Sequence, residues 1–145
     1  TAAGFEHYEV SNYALPGFRA RHNASYWHGT KYLGIGPAAH SFDGEERHWN
    51  ASSVEKYIAG APAGKEVLTR RDRFNEYVMT ALRTVEGIDL EEAAARFGAK
   101  RLARMQEEAA PFLRSGTLRI ARGRMALPPE KFLISDAVIG ALFET

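Results

Sequence analysis

The chain contains no cysteine. Disulfides, cysteine zinc sites and thiolate-held iron–sulfur clusters are therefore excluded within it. Long apolar runs are missing too, so no helical membrane span is expected. An excess of one charge is missing as well: the formal net charge is +1. A dedicated nucleic-acid binder usually carries a concentrated basic face, so nucleic acid is not an expected partner. The N-terminus, Thr1-Ala2-Ala3-Gly4-Phe5, has neither a charged leader, nor an apolar core, nor an initiator Met. The expectation at this end is a piece of a larger protein rather than a secretory signal. Together with the missing cysteine it points to a reducing, cytoplasmic setting.

What is present suits one ordinary domain or two small ones. The 145 residues are 45% hydrophobic and 26% charged, which allows a packed core and argues against wholesale disorder. The small-residue stretch Ala59-Gly60-Ala61-Pro62-Ala63-Gly64 reads as a linker, dividing the chain into residues 1–60 and 61–145. All five histidines (His7, His22, His28, His40, His48) and both tryptophans (Trp27, Trp49) precede it. Net charge is −1 before it, from five basic and six acidic residues, and +2 after it, from fourteen and twelve. Neither half is strongly polarised. The first half holds groups that bind ligands or move protons; the second reads as a helical scaffold.

That scaffold is legible by period. Asp72 is expected to cap a helix presenting Phe74, Val78, Ala81, Leu82 and Val85 on one face, ending at Gly87. Asp89 and Glu92 fit a capping box for a short helix ending at Gly98. A third helix, about Ala99 to Arg114, presents Leu102, Met105, Ala109, Phe112 and Leu113, and Ser115-Gly116 stops it. Leu118 to Leu127, turning at Arg122-Gly123, reads as a β-hairpin. Pro128-Pro129 precedes a last helix with Leu133, Ile134, Val138, Ile139, Leu142 and Phe143. Helix, short helix, helix, hairpin, helix is the outline of a winged-helix domain. Such a domain can bind DNA, here through Lys100, Arg101 and Arg104, or serve as a packing module. The acidic pair Glu107-Glu108 on the same helix favours packing, and fold alone does not give function.

The first half carries the chemistry. Tyr8 to Ala14 reads as a strand running into a loop at Pro16-Gly17, with Glu9 and Asn12 near the strand end. In an α/β barrel, ligand groups sit at such ends; a solvent-facing edge strand is the alternative. Arg21-His22-Asn23-Ala24-Ser25-Tyr26-Trp27-His28-Gly29 sets two large rings beside two imidazoles. An imidazole can ligate iron or shuttle a proton, and flat rings offer faces to a planar ligand. A surface loop with packed rings is the alternative. His22 and His28 are six residues apart, which is not the spacing of a paired helical zinc site. Tyr32 to Ser41 contains Gly34-Ile35-Gly36-Pro37-Ala38-Ala39, a superficial dinucleotide fingerprint. No long buried strand precedes it and no βαβ unit surrounds it, so a dinucleotide site is rejected. The better reading is a strand end where Gly34 and Gly36 let the backbone approach a ligand or another strand, followed by His40 and Ser41. A purely structural β-bulge is the remaining alternative.

Taken together, Tyr-Glu-Val-Ser-Asn-Tyr-Ala (8–14), Arg-His-Asn-Ala-Ser-Tyr-Trp (21–27), Tyr-Leu-Gly-Ile-Gly-Pro-Ala-Ala-His-Ser (32–41), Arg-His-Trp-Asn (47–50) and Glu-Tyr-Val-Met-Thr-Ala-Leu-Arg (76–83) leading to Gly87-Ile88 resemble the oxygen-independent coproporphyrinogen III oxidase-like branch of the radical-SAM proteins. The resemblance covers nearly the whole chain and weakens after about Gly98. The His22-Asn23-x-x-Tyr26-Trp27 signature looks more like the HemW haem-chaperone group than the decarboxylating oxidase.

The resemblance implies an α+β chain: the last strands of a partial α/β barrel (1–60) followed by a helical, winged-helix-like C-terminal domain (61–145). It implies His22 as candidate iron ligand, with Asn23, Tyr26 and Trp27 beside it, and Glu9, Asn12, Gly34, Gly36 and His40 as further cofactor-binding candidates. It implies haem or porphyrin as ligand, and the protein's own N-terminal barrel as partner. S-adenosylmethionine and a [4Fe-4S] cluster would belong to the parent only, so this chain should be inactive alone. Two other readings stay open: a winged-helix DNA- or partner-binding module, and a structural tail closing the barrel.

Overall fold

The computed structural model describes residues 3–21, 30–62 and 64–145. The chain opens with a hairpin, β1 (Glu6–Glu9) and β2 (Asn12–Ala14), paired antiparallel. The single strand expected across Tyr8 to Ala14 is thus folded back at Val10-Ser11. The cause is local: the Glu9 carboxylate accepts from the Ser11 N–H at 3.2 Å, from the Ser11 hydroxyl at 2.9 Å and from the Asn12 amide. Such short polar side chains offer the backbone a turn in place of a continuing ladder.

A second, antiparallel sheet has the order β3 (His40–Phe42), β4 (Glu46–Trp49), β5 (Gly64–Val67). Its β3–β4 turn is held by the Asp43 carboxylate, which accepts the N–H groups of Glu45 (2.9 Å) and Glu46 (2.8 Å). These two bonds hold the Asp43 carboxyl below the usual carboxylate range. Helix α1 (Val54–Ile58) lies between β4 and β5. The stretch 59–64 joins α1 to β5, and β5 pairs with β4 from Glu46↔Val67 to Trp49↔Gly64. The sheet therefore continues past residue 60.

The remaining elements are α2 (Arg70–Leu82), β6 (Ile88–Asp89), α3 (Leu90–Phe97), α4 (Ala99–Arg114), β7 (Arg119–Ala121), β8 (Arg124–Ala126), a 3-10 turn (Pro129–Ile134) and α5 (Ser135–Leu142). Their sheet has the order β6-β8-β7 and is antiparallel. The cap of α2 is Thr69 rather than Asp72. The Thr69 hydroxyl accepts the Asp72 N–H at 3.1 Å, and the Asp72 carboxylate accepts the Thr69 N–H at 3.0 Å. Asp72 is the third-position partner of that reciprocal pair. Asp89 caps α3 as expected, accepting from Glu91 N–H (3.1 Å) and Glu92 N–H (3.0 Å), but the expected capping box is not completed: the Asp89 N–H donates to the Tyr77 hydroxyl and Glu92 pairs with Arg96.

The core gathers the apolar faces of α2, α4 and α5 over this sheet. Val78, Leu82, Met105, Met125 and Leu142 are wholly buried. Burial of one such side chain contributes at most about 1.5–3 kcal/mol. The last segment departs from the expected single helix. Pro128-Pro129 leads into a 3-10 turn, whose three-residue period sends Phe132 inward (3% exposed) and leaves Leu133 fully exposed. The continuous α-helix begins at Ser135. No helix of the described residues is long and apolar enough to cross a membrane.

The hairpin docks on the end of α2. The Val10 N–H donates to the Arg83 carbonyl at 2.9 Å, and the Val85 N–H donates to the Tyr8 carbonyl at 3.1 Å. Arg19 pairs with Glu6 and Glu86 and stacks on Tyr8, its guanidinium 5.4 Å from the ring centre. His7 lies flat against Tyr13, centroids 4.1 Å apart, with its edge toward Phe132.

Candidate functional site

His22, Asn23, Tyr26 and Trp27 lie outside the described residues. The other sequence-derived candidates fall into two groups. Glu9 and Asn12 are hydrogen-bonded to each other in the hairpin turn. Glu9 is 2% exposed, and the bonds of its carboxylate go to its own turn. Gly34, Gly36 and His40 form the second group. Among the described residues, no hydrogen bond joins one group to the other.

The glycine segment is shaped by close approach to its own chain. A Cβ on Gly34 would lie 2.1 Å from the His40 carbonyl oxygen, far inside contact distance, so only glycine lets these backbones meet. The Gly34 N–H donates to the Ser41 hydroxyl at 2.9 Å, and the Asn50 amide donates to the Gly34 and Gly36 carbonyls at 3.3 and 2.9 Å. The Gly36 N–H donates to the Tyr57 hydroxyl of α1 at 3.2 Å. Of the two reasons for glycine here, approach to another strand is thus met at Gly34. Gly36 takes φ +109 with open space around it. His40 is exposed, its ring 6.0 Å from that of Trp49, its cross-strand partner. Leu33 and Ile35, between and before these glycines, are 80% and 83% exposed.

The β3–β4 turn brings ligand atoms of Asp43, Glu46 and His48 within 4.8 Å of one another. Asp43 is engaged by its turn, and Glu46 contacts His48 at 3.3 Å and Lys65 at 3.8 Å. The Asp43 carboxylate is thus taken up by backbone N–H groups, and Glu46 lies between His48 and Lys65.

A concavity beside these groups was not anticipated from the sequence. A cleft of about 430 Å³ runs between the β3–β4 strands and α2, reaching α3 and β8. Helix α2 supplies Arg73, Glu76, Tyr77, Thr80 and Thr84 just beyond its end, at three- and four-residue spacing. This is a second, polar stripe beside the core-facing one. Across from it stand Tyr32, Phe42 and Arg47. Arg47 donates to Glu76 at 2.6 Å. This bond raises the Arg47 pKa against the opposing effect of burial. The Tyr77 hydroxyl donates to the Asp89 carbonyl (3.1 Å) and accepts the Asp89 N–H (3.2 Å). Burial, and next the Glu92 charge, push the Tyr77 phenol up to about 12. The Thr80 and Thr84 hydroxyls donate to helix carbonyls at 2.8 and 2.9 Å. Histidine, cysteine and serine are absent from the lining among the described residues. The cleft offers guanidinium groups, carboxylates and rings. The stripe from Arg73 to Thr84 was readable as periodic polarity. What it faces depends on the β3–β4 sheet, which no local pattern announces.

Residues 68–134 match the HemN C-terminal domain. Over 98% of its length the chain is 37% identical to the heme chaperone HemW of Mycobacterium tuberculosis (strain H37Rv), of which it spans 36%. The chain belongs to the HemN/HemW family. It also shares 37% identity over 98 residues with the heme chaperone HemW of Lactococcus lactis. Over 38 residues it is 58% identical to the mitochondrial radical S-adenosyl methionine domain-containing protein 1 of mouse. Its fold is similar to the solved coproporphyrinogen III oxidase HemN of Escherichia coli, a radical SAM enzyme. That match has a TM-score of 0.71 at 16% identity, covering 98% of this chain and 38% of that one. The chain thus spans little more than a third of the Mycobacterium tuberculosis HemW and of the Escherichia coli HemN. It carries the mixed helix-and-strand architecture of the HemN C-terminal region.

Proposed function

We propose that this chain acts as the C-terminal part of a haem- or porphyrin-handling protein of the HemW type, lining a ligand cavity and capping it with helices. The observation that carries this reading is the 37% identity to HemW along 98% of the chain. Haem is cargo in this reading. His22 is its candidate iron ligand, with Asn23, Tyr26 and Trp27 beside it and Glu9, Asn12, Gly34, Gly36 and His40 along the rim. The last of these serve by shape: Glu9 and Asn12 hold the hairpin turn, and Gly34 holds the loop against His40. A [4Fe-4S] cluster does not fit this chain, because no thiolate is present to hold it. S-adenosylmethionine and the cluster belong to the rest of the protein, in a reducing cytoplasm.

The organisation we propose has two parts. The composition-based division at 60/61 is better set after β5, because β5 completes the β3–β4 sheet and the family match starts at residue 68. The helix–strand–helix–helix–strand–strand order, with sheet order β6-β8-β7, supports a winged-helix-like second part. The hairpin and the β3–β4–β5 sheet are the proposed contribution to the edge of the barrel, although every pairing among the described residues is antiparallel. DNA binding by the second part is disfavoured, because two of its three basic candidates are spent on the chain's own end. Arg101 pairs with Glu144 at 2.6 Å, and Arg104 donates to the Phe143 carbonyl at 2.7 Å.

Haem titration followed by the Soret band tests the reading, on the chain and on its His22→Ala and His48→Ala variants. A band altered by His22→Ala and not by His48→Ala is expected. Identical spectra for all three would remove His22 as ligand.

A further inference from the structure

Among the described residues, the cleft between α2 and the β3–β4 strands holds one guanidinium without a direct ion-pair partner. Arg47 pairs with Glu76 and Arg96 with Glu92, at 2.6 and 2.7 Å. Outside the lining, Asp89 takes Arg124 at 3.0 Å and Arg19 takes Glu86. Arg73 lines both the cleft and a neighbouring concavity, whose other charged groups are Lys31, Asp43 and Glu45. Its guanidinium has no hydrogen-bond acceptor and no ion-pair partner among the described residues. The rings close by are Tyr32 and Phe42, whose centroids are 6.2 Å apart; the Tyr77 ring is already covered by Arg96, 5.1 Å from its centre. A volume of about 430 Å³ falls in the range of small-molecule sites.

From this arrangement we infer that the cleft is a binding site for a flat, conjugated carboxylate. Arg73 takes the carboxylate, and the Tyr32 and Phe42 rings take the planar body. The physical grounds are charge and shape. One uncompensated cation calls for one anionic group, and a guanidinium fork matches a carboxylate with two parallel N–H bonds. The neutralised pairs around it offer no second attraction for charge, so the rest of the ligand must be held by its apolar plane. The hydroxyls of Tyr77, Thr80 and Thr84 are already bonded to backbone, and the charge of the ligand falls to the guanidinium. A tetrapyrrole would enter by one propionate-bearing edge; that identification rests on the proposed haem or porphyrin role, whereas the carboxylate class does not.

The test uses metal-free protoporphyrin IX and its dimethyl ester, which keeps the plane and loses the charge. Binding is followed by porphyrin fluorescence in one mixed solvent, for the chain and its Arg73→Met, Arg73→Lys and Arg114→Met variants. Far-ultraviolet circular dichroism checks that each is folded. The chain should bind the acid about tenfold more tightly than the ester, a difference of about 1.4 kcal/mol. Arg73→Met should lose that preference, Arg73→Lys should keep part of it, and Arg114→Met should keep all of it. A preference that survives Arg73→Met, that falls equally in Arg114→Met, or that is absent from the unmodified chain overturns the site. Metal-free porphyrin has no iron for His22. Failure here with an intact His22 effect on haem therefore removes the cleft and leaves the proposed function standing. The reverse result removes His22 and leaves the cleft.

Discussion

Replacing Gly34 by alanine separates the two reasons a glycine stands there. The added methyl would sit 2.1 Å from the His40 carbonyl oxygen, 2.6 Å from its carbon and 2.8 Å from its nitrogen. All three are backbone atoms of β3, so no flexible side chain can swing aside. Relief requires moving the Gly34 segment away from His40. That movement strains the Gly34 N–H bond to the Ser41 hydroxyl and the Asn50 bond to the Gly34 carbonyl. Overpacking at such a contact costs about 1–3 kcal/mol, and the weakened hydrogen bonding adds about 1. A loss of about 2–4 kcal/mol is therefore expected, felt first in the β3–β4–β5 sheet. Trp49 reports on that sheet, since it pairs with both His40 and Gly64. In a Trp27→Phe background its fluorescence follows urea unfolding of this part alone. The neighbouring Leu33→Ala, at a side chain 80% exposed, should shift the transition by less than about 0.5 kcal/mol. If Gly34→Ala leaves the Trp49 transition within that margin and weakens ligand binding instead, the glycine serves ligand approach and the reasoning is wrong.

Two further outcomes follow from the second half. Thr69→Ala should cost about 1 kcal/mol and Thr69→Ser should restore it, read from thermal melts by circular dichroism. Hydrogen bonds from Thr69 hold the Asp72 carboxyl below its usual range. That contribution is present above the unfolded value near 4 and disappears as pH falls through the lower folded value. Thr69→Ala should therefore flatten the acid side of the stability curve, and an unchanged acid slope would count against the capping box. Tyr77→Phe should cost about 1–2 kcal/mol, because the Asp89 N–H and carbonyl both lose their partner. The Tyr77 phenol titrates at about 12 when folded and near 10 when unfolded. Its stabilisation is whole below pH 10 and is lost as pH rises toward 12. Urea midpoints at pH 8 and pH 11 should fall further in the native chain than in Tyr77→Phe; equal falls would refute the shifted phenol.

Much of the second half was written locally. The α4 bounds, the Asp89 cap and the turn at Arg122-Gly123 follow from period, capping oxygens and glycine, each needing only neighbours three or four positions away. The misreadings there are also local competitions. Thr69 displaced Asp72 as cap because the two form one reciprocal pair. A 3-10 turn took Leu133 and Ile134 out of the expected helix. The first half was harder, because its strands are three or four residues long and carry no distinct period. The Glu9 turn hid inside what read as one strand.

The sequence by itself determined the family and its helical scaffold, since motif residues and apolar periodicity survive without coordinates. It also ruled out a cluster in this chain, because thiolate chemistry needs cysteine. Only the tertiary structure decided that Gly34 meets His40, that β5 completes the first sheet, and that the polar face of α2 closes on Tyr32, Phe42 and Arg47. Those three facts depend on contacts between separate segments, which no local period encodes and only packing brings together.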